Sequence, residues 1–509
     1  MIARVRGAAS SSPGCGFDMG IEMTRNADGA TDGAPAPFVR QHLSRRERRV
    51  LFGILAVALI LRGAWCLYAA EPPVIGDPVL YYINGAQIAE GHGYSNAFAL
   101  LGRVAEMRAS GSRVLPGHDV PSAIGPPGYP ATLGALFWLV IHSPLPDNPF
   151  AAAVALNVAL GVATVLMAFE LMRRVFDTQV ALVGAALLAV YPNLIFHAAT
   201  LHYETTFIFV TMAALLVLLG RPWPGGRVPP RRLVAFAVLL GLSVLIRPTA
   251  APIVLVLFVI AVIQGATVRL AFAQCGVVVG VVGLMLLPWT IRNIVKLHSP
   301  VVVSTGYGPA LCMSRHPGAR GDNAGHGSPQ QAKKMARYCL PSLAGVPLRD
   351  QEVKVNNYAM SRAVKFVVEH PFEEVRLWLP RSRYAYREDH DALEDVAPFV
   401  ARSTRQTLAR VGDWFYFAIL GLSAVGVASS ARRAAPARLF LVLATLALAV
   451  NPIVLYGAPR YKVPATPFFA MMAAVGLVVL ARRLAASPTS TPGGMRSTTT
   501  TPSSTGRRS

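Results

Sequence analysis

Blocks of about twenty apolar residues, separated by short polar links, predict an all-α polytopic membrane protein with about ten transmembrane helices. Two further observations agree. The chain is 53% hydrophobic and 15% charged, with a mean hydropathy of +0.45, whereas a soluble protein carries roughly a quarter charged residues. Its Lys and Arg also gather at alternate links between the blocks, as they do in loops facing the cytoplasm. The net charge of +22 would suggest nucleic acid in a soluble chain. Here the cytoplasmic bias explains it, and no nucleic-acid partner is expected.

The apolar segments run over 50–70, 150–171, 179–199, 203–220, 232–247, 249–265, 270–290, 414–430, 437–456 and 464–481. A weaker run, Tyr129 to Ile141, is short for a full crossing and reads as an interfacial or dipping helix. Basic groups lie at Arg45-Arg46-Glu47-Arg48-Arg49, Arg173-Arg174, Arg221 to Arg232, Arg269, Arg432-Arg433 with Arg438, and Arg482-Arg483. Ten spans with both termini inside put every group on the cytoplasmic side. The expected organisation is a disordered cytoplasmic tail over 1–44, an N-terminal transmembrane catalytic module over 45–290 with a first outer loop at 71–149, a large outer loop at 291–412, C-terminal helices at 413–483 and a second disordered cytoplasmic tail at 484–509. The expected location is the plasma membrane.

With this orientation, carboxylates and cations collect on the outer side. Asp77-Pro78 opens a short helix, Pro78 to Glu90, and taken alone its commonplace role is an N-cap. Glu204 follows His202-Tyr203 at the start of the fourth span, where a helix N-terminus favours a carboxylate. Taken alone, His202 reads as an interfacial polar residue. Tyr129, in Pro126-Pro127-Gly128-Tyr129-Pro130, suits the headgroup belt. Pro288-Trp289-Thr290-Ile291-Arg292-Asn293 ends the seventh span, Arg247-Pro248 separates the fifth from the sixth, and Arg460-Tyr461-Lys462-Val463-Pro464 precedes the last. Two cations at 460 and 462 break the positive-inside trend and favour an anionic ligand. Arg62, inside the first span, either snorkels, pairs within the bundle, or serves function. A carboxylate beside a hydroxyl can act as general base, while Arg and Lys can hold a phosphate leaving group. Group transfer from a lipid phosphate at the bilayer surface joins these needs. A transporter or flippase of lipid-linked sugars is the alternative, and it would want its charged groups at midplane.

The order of these pieces resembles the GT-C glycosyltransferases that use polyprenyl-phosphate sugars, among them the protein O-mannosyltransferase-like enzymes and the lipid A aminoarabinose and galacturonic acid transferases. The motifs are Gly76-Asp77 with Tyr81-Tyr82 and Gly91-His92-Gly93-Tyr94, Pro126-Pro127-Gly128-Tyr129-Pro130, Glu204, Arg247-Pro248, and the Arg292 and Arg460 segments, spanning 51–480. The resemblance implies a GT-C-like fold, a polyprenyl-phosphate sugar as donor, and a glycolipid, glycan or protein hydroxyl as acceptor. It implies that Asp77 matches the first-loop catalytic acid and Glu204 the second acidic position. The donor phosphate is expected near Arg292, Arg460 and Lys462, with Tyr129, His202, Arg247 and Tyr461 also in contact with substrate. A divalent metal at Glu204 stays open.

The late loop is expected to carry helices at Asn357 to Glu369 and Phe372 to Leu379 and to cover the site, with Arg376, Arg381, Arg383 and Arg387 facing lipid headgroups. The chain holds five cysteines in no Cys-x-x-Cys spacing. Cys312 and Cys339 share this loop, and whether they pair stays open.

Overall fold

The computed structural model describes residues 43–73, 76–95, 120–144, 148–322, 328–431 and 435–486. The tail segments 1–42 and 487–509, and the basic pair Arg432-Arg433, lie outside the described residues. Among those described there is no β-strand, only isolated bridges at Ser95 with Pro121 and Asp322 with Gly457.

Every predicted apolar segment is helical. The helices are α1 (Arg45–Ala69), α2 (Gly76–Ala89), α3 (Gly128–Ile141), α4 (Pro149–Val175), α5 (Thr178–Ala189), α6 (Pro192–Phe196), α7 (Glu204–Leu219), α8 (Pro230–Ile246), α9 (Ile253–Ile263) and α10 (Val268–Leu297). After the late loop come α16 (Arg402–Ala431), α17 (Pro436–Ala449), α18 (Asn451–Val454) and α19 (Thr466–Ala486). The protein is a multi-pass membrane protein, but the expected count of ten is not reached by length. Among the described residues six helices are long and apolar enough to cross a bilayer, or seven if α5 and the following turn, bent by 57°, form one span. The other three predicted spans are α7, of 16 residues, α8, of 17, and α9, of 11. At 1.5 Å per residue such helices reach about 17–26 Å, less than a bilayer core of about 30 Å.

Local chemistry explains the boundaries. Ser44 and Glu47 form a reciprocal capping box, so α1 begins within the basic cluster that the hydropathy left outside. At the bend, α5 ends with unpaired carbonyls inside the bundle. Arg62 answers them, donating to Leu188 O at 3.1 Å and Ala189 O at 3.0 Å, and also to Ala58 O of its own helix at 3.3 Å. Of the three readings of Arg62, pairing within the bundle is the one observed.

Helix α19 is the buried centre of the bundle and packs against α16 and α5. Small residues allow the approach: a Cβ added at Gly426 would meet the Met472 carbonyl oxygen at 1.8 Å. Without a hydrophobic drive between helices in lipid, such backbone proximity supplies much of their association.

The late loop is itself helical, with α11 (Tyr307–Cys312), α12 (Pro329–Cys339), α13 (Leu348–Glu369), α14 (Pro371–Tyr386) and α15 (Ala392–Asp395). Its two predicted helices are longer than expected, and α16 begins ten residues before the predicted end of the loop at Gly412. A disulfide joins Cys312 to Cys339. Arg376, Arg383 and Arg387 are exposed beside an apolar stripe of Phe372, Val375 and Leu379. Arg381 departs from the headgroup expectation. It is fully buried and bonds both Glu374 oxygens, at 2.6 and 2.9 Å.

Candidate active site

The site is built where α2, the start of α7, the end of α8 and the 3₁₀ turn Pro459–Ala465 meet. Helix α2 begins at Gly76, whose φ of +73° suits glycine. Asp77 therefore lies in the first helical turn, one residue inside the expected cap position. Its side chain is 52% exposed. Tyr81 and Asn84, four and seven residues on, share its helix face and are buried.

Arg460 joins the two predicted acids. Its Nη1 donates to Asp77 Oδ2 at 2.5 Å and its Nε to Glu204 Oε1 at 2.6 Å, while Nη2 reaches the Tyr81 hydroxyl at 3.4 Å. The guanidinium stands 4.7 Å from the centre of the Tyr203 ring. Glu204, fully buried as the first residue of α7, also faces Arg247 Nη1 and His202 Nδ1, each at 3.6 Å.

Arg247 follows α8 in extended backbone and is buried between the rings of Tyr203, at 5.1 Å, and Tyr461, at 4.9 Å. Neither of its terminal nitrogens makes a hydrogen bond. Asp77, Arg247, Tyr81, Tyr203 and Tyr461 line a cavity of about 390 Å³ that continues toward the late loop through Tyr307 and Glu352.

The remaining expected site residues are placed differently. Lys462 is fully buried, paired with Asp389 at 3.0 Å and donating to the Glu388 carbonyl at 2.5 Å. Arg292 donates to the Ser122 carbonyl at 2.8 Å and to the Tyr94 carbonyl, behind the Tyr94 side of the cavity. Both cations are spent on the protein's own acceptors, so the phosphate grouping expected around Arg292, Arg460 and Lys462 does not assemble. Tyr129 is buried edge-on to Tyr81, with ring centres 5.4 Å apart. His202 bonds Asp395 at 2.6 Å.

Sequence reasoning missed the acidic run of the late loop. Glu388 to Asp395 holds five of the chain's 26 acidic residues in eight positions, a density that could have been noticed. Its members dock beneath the site. Asp389 accepts from Tyr191 at 2.8 Å and Asn193 at 3.1 Å, Asp391 accepts from Asn193 at 2.8 Å and faces His197 at 3.4 Å, and Asp395 holds His202. Burial works against ionisation of Asp391, but His197 beside it overrides this and holds its carboxyl below the usual range. Glu352 shows the opposite balance, since burial lifts its pKa despite hydrogen bonds from Thr305 and the Ala123 amide.

Among the described residues no group of three or more His, Cys, Asp or Glu converges as a metal site. Glu204 Oε1 is already committed to two guanidinium groups, a poor donor set for a divalent cation.

The described residues thus form a bundle of membrane helices around a cavity lined by the exposed carboxylate of Asp77 and the buried guanidinium of Arg247. Residues 130–291 match the family model described as dolichyl-phosphate-mannose-protein mannosyltransferase. That match bears out, over the matched segment, the resemblance to GT-C glycosyltransferases carried by the motifs. The segment contains His202, Glu204 and Arg247 but neither Asp77 nor Arg460. Among solved structures, the chain is similar to the Archaeoglobus fulgidus oligosaccharyltransferase in complex with Zn and sulfate, at 17% identity and a TM-score of 0.48, covering 86% of this chain and 49% of that one. It is also similar to the same organism's oligosaccharyltransferase AglB with an inhibitory peptide and a dolichol-phosphate, at 17% identity and a TM-score of 0.46, covering 87% and 51%. ArnT from Cupriavidus metallidurans bound to undecaprenyl phosphate gives 14% identity and a TM-score of 0.37, covering 87% and 79%. The chain thus spans about half the length of the archaeal structures. No curated protein matches it by sequence.

Proposed function

We propose that this protein is a membrane glycosyltransferase that moves a sugar from a polyprenyl-phosphate donor to an acceptor hydroxyl, with inversion and with Asp77 as general base. The observation that carries the reading is Arg247. A buried guanidinium whose terminal nitrogens make no hydrogen bond, in the same cavity as an exposed carboxylate, offers donors that a phosphate would satisfy. The matched family model names a dolichyl-phosphate sugar as the substrate of its members, and this chemistry fits that cavity.

In this mechanism the donor phosphate binds Arg247 and draws Arg460 toward it. Arg460 now occupies Asp77 Oδ2, so its shift frees that oxygen. The acceptor hydroxyl gives its proton to Asp77 as its oxygen bonds the anomeric carbon. The bond from that carbon to the phosphate oxygen breaks, and polyprenyl phosphate leaves with the electron pair. Positive charge develops on the sugar ring in the transition state. Glu204 keeps the Arg460 Nε while Nη1 leaves Asp77, faces Arg247, and works through both. The disulfide in the loop that lines the cavity supports an extracytoplasmic site.

The test is incubation of purified protein with labelled polyprenyl-phosphate sugars. Release of polyprenyl phosphate coupled to acceptor glycosylation is expected, and Asp77→Asn should remove it while membrane insertion stays normal. Passage of the intact lipid-linked sugar across the bilayer, without cleavage, would favour a flippase instead.

A further inference from the structure

The same cavity holds a second unanswered demand. Asn84 has no exposed surface, yet neither its amide oxygen nor its amide nitrogen has a hydrogen-bond partner. Buried amides are nearly always paired, and an orphaned one calls for an explanation. Asn84 lines the cavity, and so does Glu352 of the late loop. Glu352 Oε1 accepts from the Ala123 amide at 2.7 Å and the Thr305 hydroxyl at 2.5 Å, and the Ser122 side chain also bears on the carboxyl, while its Oε2 is buried with no partner in hydrogen-bonding geometry. Two residues from different parts of the chain therefore present free polar atoms to one enclosed space.

We propose that Asn84 and Glu352 form a subsite for the hydroxyl groups of the donor's sugar ring, which accepts an uncharged pyranose in preference to an acidic one. The inference rests on the donor reading above. Asn84 lies seven residues beyond Asp77 on one helix face, a rise of about 10 Å, so a ring held there sits deeper than the exposed base. Acceptor enters past Asp77 and the sugar waits behind it. An amide supplies two donors and an acceptor, and a carboxyl supplies an acceptor or, when protonated, a donor as well, which matches vicinal hydroxyls. Tyr81 and Tyr307 supply apolar ring faces for the sugar's C–H surface. Burial lifts the Glu352 pKa, favouring a neutral carboxyl. Arg292, which acts on Glu352, has its terminal nitrogens taken up by the Ser122 and Tyr94 carbonyls and Asn293, and Arg247 is given to the donor phosphate, so a uronic acid's carboxylate would find no free cation there.

The test compares two probes on the full-length protein in nanodiscs: undecaprenyl phosphate and its mannosyl-linked form. The wild type should bind the mannosyl lipid more tightly. Asn84→Leu and Glu352→Gln should each weaken the mannosyl lipid by about tenfold or more, with bare undecaprenyl phosphate unchanged. The Gln variant keeps the acceptor for Ala123 and Thr305. Because Asn84 is unpaired, Asn84→Leu should leave the melting temperature unchanged or raise it, whereas a structural role would lower it. A uronosyl-linked lipid should bind no better than the bare phosphate. Equal loss of both probes in the variants, or an unchanged mannosyl preference, overturns the subsite while leaving the donor reading intact. Failure of the wild type to bind either lipid overturns both.

Discussion

Two buried arginine clusters of this protein look alike in sequence and differ in what their nitrogens meet. In the late loop, Arg315 and Arg381 close on Glu374. The terminal nitrogens of Arg315 reach Glu374 at 2.8 Å and the carbonyls of Leu311, Val454 and Leu455, while those of Arg381 reach Glu374, Ser314 and Ile453. Every terminal nitrogen there has an acceptor. In the cavity, Arg247 has a carboxylate at 3.6 Å and two aromatic faces but no hydrogen bond. Only the Arg381 Nε is left buried without a partner, and a buried cation whose terminal nitrogens are all bonded is architecture, since a ligand at those nitrogens would have to displace a bond already made. An unsaturated one is a demand awaiting a ligand. Burial and charge do not separate the two cases; the hydrogen-bond census does.

The largest expected effect tests the cavity side. Asp77→Asn should lower transfer by about 100- to 10,000-fold, the usual loss on removing a general base, at equal expression and with unchanged melting temperature. Next comes the direct contrast. Glu374→Ala leaves two buried guanidinium groups without their anion and should destabilise the protein by about 3–5 kcal/mol. Arg247→Met should cost about 1 kcal/mol, the scale of its aromatic contacts, yet abolish binding of undecaprenyl phosphate. Chemical denaturation and lipid binding measured on both variants would sharpen the comparison, and equal stability losses would break it. Reducing the Cys312–Cys339 bond, which closes a loop of sequence separation 27, should cost about 3 kcal/mol, read as a lower melting temperature in reductant.

The smallest effect is with pH. Burial opposes ionisation of Glu374, but Arg381 and Arg315 outweigh it and hold its pKa below the usual 4.5. A depressed carboxylate contributes stability that is present above its unfolded pKa and lost as pH falls through the folded one. The melting temperature should hold above about pH 5 and decline below 4.5. Glu374→Gln should flatten that decline. Undiminished acid sensitivity in that variant would assign the loss to other carboxylates, Asp391 among them.

Much of this was legible in the chain. Apolar blocks located the six or seven described helices long enough to cross a bilayer, together with three that are too short, because hydropathy reports apolar runs but not where a helix breaks. Charge bias put Asp77, Glu204, Arg247 and Arg460 on one side, and the structure joins these four in one network. The pairing of Lys462 with Asp389, of His202 with Asp395 and of Arg381 with Glu374 was not legible. Asp395 lies 193 residues from His202 in sequence, and no local pattern announces a partner at that distance. Arg381 reads as an exposed helix cation because amphipathicity reports one face, not what a neighbouring loop lays across it.

The sequence by itself determined the helical class, the order of the membrane segments and the residue types able to handle a lipid phosphate, since hydropathy and charge act through solvent and need no partner. Only the tertiary structure decided which cations were left unspent. Arg247, Arg292, Arg460 and Lys462 are equivalent as formal charges, but a charge becomes available or consumed through hydrogen bonds, whose reach of about 3 Å is fixed by the folded chain alone.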